Sequence, residues 1–173
     1  MRPLLACLLL LLAAAAPEPD GFRLDDYRAP VPDAVRGGDV VRLEAMRDVV
    51  ARREALLIDV LPAPRRPESM RSGMPWRPAP HRSLPGAIWW PDVGRGALAA
   101  SLEATFHDRL DLAVAGDRRR QIVFFCLSDC WMSWNAAKRA AGWGYRVAWY
   151  PDGVDQWEAA GLPTAIVEPE PLD

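Results

Sequence analysis

The chain has 173 residues, half of them apolar and a quarter charged, with a formal net charge of -2. Those proportions suit one soluble domain with a single buried core, and they lack the basic stripe that nucleic-acid binding requires. The only dense basic run, Arg118 to Arg120, stands just before an apolar segment rather than along a face.

Arg2 supplies a positive start, Leu8 to Leu12 an apolar stretch and Ala13 to Ala16 small residues, which is the pattern of a secretory signal over residues 1–15. The stretch is shorter than the roughly 20 apolar residues of a comfortable membrane span. Export to the periplasm is therefore expected, with no membrane attachment after cleavage and with Cys7 leaving in the signal. Residues 16–38, rich in Pro, Asp and Gly, read as an extended N-terminal arm. A domain is expected over residues 39–163, followed by a C-terminal tail at 164–173.

Asp39 to Val41 reads as a brief strand, and Arg42 to Arg53 as a helix, because Leu43, Met46, Val49 and Val50 share one face. Ala55 to Val60 is an apolar run carrying one acid, Asp59, and reads as a buried strand. An acid so placed caps a neighbouring loop more readily than it catalyses, which makes Asp59 a supporting residue. Leu61 to Pro85 combines many prolines with Arg65, Arg66, Arg71, Arg77 and Arg82 and shows no period, so a long loop is expected, with His81 solvated in it.

Ala87 to Trp90 is the next strand candidate, and Ala97 to Leu112 a helix, with Leu98, Leu102, Phe106 and Leu110 at every fourth position. His107 falls beside that stripe and reads as a surface histidine. Ile122 to Phe125 is wholly apolar, as a buried strand of a parallel sheet should be. From Ser133 the composition shifts to Ala, Lys, Arg and Asn with no Gly or Pro before Gly142, which predicts a helix. Arg146 to Tyr150 reads as a strand, Pro151 to Gly153 as a turn and Val154 to Ala160 as a short helix ended by Gly161. This alternation predicts a three-layer α/β domain around a mainly parallel sheet. Most of the eight tryptophans are expected in the core or at its rim.

Cys126 and Cys130 fall between the strand and the helix, at the sheet edge where open α/β folds bind ligands. Amides at a helix start favour negative charge and stabilise a thiolate. That effect is expected at Cys126, with Cys130 resolving its adducts, and export makes an oxidised pair chemically available. So short a loop brings two Cα atoms into the roughly 4.4 to 6.8 Å range that a disulfide needs. Its closure stabilises little, which favours a strained, reducible bond over a permanent staple. Two thiolates, with Met132, also suit a soft ion such as Cu(I) or another redox cofactor. There is no Cys-x-x-Cys-His sequence for c-type haem.

The strand Leu57 to Val60, the segment Pro85-Gly-Ala-Ile-Trp-Trp-Pro91, the strand ending in Cys126, and Gly144 to Val147 followed by Asp152 to Trp157 together resemble a rhodanese domain. More closely, the Pro85 segment with Val93 to Gly96, and Cys126 to Arg139, resemble the exported rhodanese-like proteins called PQQ-dependent catabolism-associated CXXCW motif proteins. The resemblance implies a rhodanese-like three-layer sandwich. It also implies that Cys126 is the nucleophile, carrying a persulfide in a cradle of loop amides over Leu127, Ser128, Asp129 and Trp131.

Two departures accompany it. Trp131 stands where rhodaneses often have Arg, and Cys130 is an added thiol. Ser83 stands where those proteins often have His, so His81 is not carried over. The resemblance further implies partners among periplasmic PQQ-dependent dehydrogenases, cytochromes or transport components. Three activities stay open: thiol-disulfide or sulfane-sulfur transfer, binding of Cu(I) or a redox cofactor, and an inert docking module.

Overall fold

A computed structural model of the protein describes residues 16–170 and residue 172; the signal sequence read over residues 1–15 lies outside them. Five parallel strands form the central sheet: β1 (Asp39–Val40), β2 (Leu56–Asp59), β4 (Ile88–Trp89), β5 (Ile122–Phe125) and β6 (Val147–Tyr150), in the order β1-β6-β5-β2-β4. Strands β2, β5 and β6 are buried at every residue, because both faces are covered. Alternate side chains along β5 therefore enter two different cores.

On one face Ile122 and Phe124 pack with Phe106 and Leu110 of α2 (Ala100–Ala113) and with Trp134, Ala137 and Ala140 of α3 (Trp131–Gly142). On the other, Val123 and Phe125 pack with Met46 of α1 (Leu43–Arg52) and with Val154 and Trp157 of α4 (Gly153–Ala159). The result is the three-layer α/β arrangement that the alternation predicts. No helix among the described residues is long and apolar enough to cross a membrane.

Two features differ from the sequence reading. The long loop contains a strand, β3 (His81–Ser83), which pairs antiparallel with β7 (Ala165–Val167) in a second, two-stranded sheet. Three residues reading His-Arg-Ser show no periodicity, and their partner is distant in the chain, so local pattern could not reveal the pairing. Helix α3 also begins at Trp131, before the compositional shift at Ser133, which makes Cys130 its N-cap residue.

Phe124 is fully buried and meets Phe106 edge to face. Phe124→Ala is expected to lower stability by about 3 to 5 kcal/mol, read as a shifted urea midpoint with an unchanged slope. A loss under about 1 kcal/mol would contradict its place in the core.

Candidate functional site

Strand β5 delivers Cys126 to the carboxyl edge of the sheet, and helix α3 receives the chain at Cys130. Both thiols are buried, at 0% and 3% exposure, and their sulfurs lie 2.7 Å apart in a shared hydrogen bond. The intervening turn passes through Asp129, whose φ of 49° lies in the left-handed region that short polar residues tolerate best.

The turn is held from both sides. On the α4 side, Asp155 accepts hydrogen bonds from the Ser128 amide and hydroxyl, Val154 N–H donates to the Cys126 carbonyl, and Leu127 pairs with Gly153. Gly153 has a φ of +70°, and any Cβ there would collide with the Leu127 backbone, so only glycine lets the two segments meet.

On the other side lies the N-terminal arm. Arg28 pairs with Cys130 in an antiparallel bridge, and the Trp131 amide donates to the Tyr27 carbonyl. Asn135 of α3 bonds both backbone groups of Arg23, accepting from its amide and donating to its carbonyl. Lys138 donates to the carbonyls of Pro19, Asp20 and Gly21. At Gly96 a Cβ would run into the Arg23 carbonyl, and at Gly94 into the Met132 backbone. The segments Val93 to Gly96 and Asn135 to Arg139, conspicuous in the sequence, therefore join the arm to α3.

This arrangement differs from a cradle over Cys126. The Ser128 and Trp131 amides are engaged by Asp155 and Tyr27, while the amides of Met132 and Ser133 in the first turn of α3 serve the Cys130 sulfur. The hydrogen bond shared with Cys126, then those amides and that of Leu127, outweigh burial and bring the Cys130 thiol down to about 7. Burial holds Cys126 well above the usual thiol range, reinforced by Cys130 and by the nearby Asp59 carboxylate.

Asp59 ends β2 with no exposure, and caps the following loop by accepting from Leu61 N–H at 2.9 Å. Its other oxygen receives Ser83 Oγ and His81 Nε2, each at 2.7 Å. His81 is thus not a solvated loop histidine: strand β3 carries it onto Asp59, and its ring lies 4.2 Å from that of Trp89. His107 keeps a one-third exposed side chain on α2, against Trp143.

Trp131 is buried, edge to face with Trp134 and beneath the Arg23 guanidinium. An arginine in its place would put a second cation into an apolar cluster. Of the loop arginines, three are engaged elsewhere: Arg65 pairs with Asp92, Arg66 with the Arg71 carbonyl, and Arg82 with Thr164 and Glu158. Met132 is buried with its Cβ facing Gly94. Among the described residues, no group of three or more His, Cys, Asp or Glu is placed to hold a metal ion.

No family profile matches the chain. No curated protein matches it either. Among solved structures, an uncharacterized protein from Saccharomyces cerevisiae is 20% identical, with a TM-score of 0.44, covering 71% of this chain and 92% of its own. A thiosulfate sulfurtransferase from Pseudomonas aeruginosa is 20% identical with a TM-score of 0.49; the match covers 79% of this chain and 22% of that one. A polysulfide-sulfur transferase homodimer from Wolinella succinogenes is 15% identical with a TM-score of 0.43, over 76% and 80% of the two chains. These are likenesses of fold at low identity.

Because neither sulfur meets solvent, any reagent must await a local opening, and the arm is one of the two segments that close the turn. Lys138→Ala, which removes three bonds to the arm, is expected to raise the iodoacetamide rate of the reduced protein roughly three- to tenfold. Gly96→Ala, which displaces Arg23, is expected to do the same. Unchanged rates in both variants would show that the arm does not control access.

Proposed function

We propose that the protein is an exported, rhodanese-like sulfur-chemistry protein in which Cys126 and Cys130 act as one working couple. Its reaction is thiol-disulfide exchange or sulfane-sulfur transfer, and its setting is the periplasm alongside PQQ-dependent alcohol oxidation. The observation that carries this reading is the pair itself: two cysteine sulfurs 2.7 Å apart at the carboxyl edge of a parallel sheet, one of them at the N-cap position of a helix. Such a pair can pass between dithiol and disulfide with no more than a local change in the turn, and a sulfur taken up by one thiol lies within reach of the other. A partner among the dehydrogenases, cytochromes or transport components of such a pathway accords with the sequence resemblance.

A thiosulfate sulfurtransferase needs a cation to hold its dianionic donor. Here the place of that cation is taken by a buried tryptophan, while Arg23, which lies over its ring, and Arg65 and Arg82 of the long loop are each paired with acids. Disulfides and persulfides, which do not demand a fixed guanidinium, are therefore the better substrates.

Equilibration in graded thiol buffers tests the couple. The protein is expected to titrate with a midpoint more oxidising than the roughly -300 mV below which structural disulfides lie. Resistance to reduction would make the bond a staple, and failure to oxidise at all would leave an inert docking module. Thiosulfate turnover should be weak or absent; a rapid native rate would contradict the argument from Trp131. In a deletion strain, protein made without residues 1–15 is expected not to restore growth, since it stays in a reducing compartment.

A further inference from the structure

We propose that Cys130, and not Cys126, is the sulfur that attacks, and that Cys126 resolves; this rests on the thiol-exchange reading and assigns its order. The argument is one of position. Cys130 is the N-cap of a 12-residue helix, with extended backbone at φ -109° and ψ 105°, which places its side chain on the amide side of the first turn although it makes no full capping hydrogen bond. Met132 and Ser133 N–H groups face its sulfur, and the Cys126 sulfur lies 2.7 Å away. The Cys130 backbone pairs with Arg28 of the arm, so lifting the arm uncovers this residue.

Cys126 occupies the opposite kind of place. It continues the β5 alternation into the core shared with Phe124 and Trp149, has no exposure, and has the Asp59 carboxylate as a charged neighbour. A thiolate there would stand in apolar surroundings against a like charge. A thiol there keeps its proton. The lowered range of Cys130 and the raised range of Cys126 agree with this placement.

The chemistry then runs in two balanced steps. The Cys130 thiolate attacks one sulfur of a disulfide R–S–S–R′, forming Cys130–S–S–R, and R′S⁻ leaves with the electron pair of the broken bond. Cys126 next attacks the Cys130 sulfur, forming the Cys126–Cys130 disulfide; RS⁻ departs and takes up the proton that Cys126 gives up. The substrate is reduced to two thiols, the pair is oxidised, and an external dithiol reductant restores it. With a persulfide R–S–SH as donor, Cys130 takes the outer sulfur and the same second step releases it as hydrosulfide.

The test uses the full chain in its reduced form. Substoichiometric iodoacetamide, followed by peptide mapping, is expected to place the label on Cys130 at least tenfold more often than on Cys126. With glutathione disulfide as the probe, Cys126→Ser should accumulate a stable mixed disulfide at Cys130, whereas Cys130→Ser should form one at least tenfold more slowly. Label appearing first on Cys126 in the wild-type protein, whatever the folding of the variants, would overturn the assignment. If the wild-type pair still cycles in that case, only the order is wrong. If label favours Cys130 but the wild-type pair neither oxidises nor accepts sulfur, the exchange reading falls and the reactivity order stands.

Discussion

A strand covered on both faces can expose chemistry only at its ends, and β5 is such a strand. It lies between β2 and β6, with every residue buried and every second side chain committed to a different core. The chain can leave it only at the carboxyl edge, and must turn within a few residues to start α3 on the face that Phe124 and Trp149 define. The positions of both sulfurs follow from that constraint. Cys126 is the last residue that obeys the strand, and Cys130 is the last before the helix.

That geometry divides two chemically identical side chains by their surroundings. One inherits the interior of the sheet and the neighbourhood of Asp59; the other inherits the amides of a helix start. Asp59 is itself fixed by Leu61, His81 and Ser83, so the second small sheet, β3 with β7, has a role near the site: it carries the two side chains that hold this carboxylate in place. The turn between the cysteines is kept narrow by α4 on one side and by the arm on the other. Its closure depends on glycine at 153 and 96, where a side chain would strike backbone.

Much of the fold was legible in the sequence because its strands are short, wholly apolar runs and its helices carry clear stripes. Ile122 to Phe125 is read identically in both, and Asp59 was recognisable as a capping acid from its place at a strand end. His81 was not recognisable, since its partner is set by a pairing with Ala165–Val167 that no local period announces. The N-cap position of Cys130 was missed for a different reason. Trp131 and Met132 belong to α3, yet they lack the composition of a helix start, so composition alone places that start two residues later and assigns its amides to Cys126. The role of Asn135 and Lys138 was hidden as well, because what they bind is the backbone of an arm that has no signature of its own.

The central claim is that Cys126 and Cys130 form a couple that is used, and the most direct measurement is the intact mass and free-thiol count of the protein isolated from its own cells without reductant. A couple in use is expected as a mixture: reduced protein together with a form lacking two hydrogens or carrying one added sulfur. A single homogeneous state in every preparation, whether wholly reduced or wholly and irreversibly disulfide-bonded, would contradict the account.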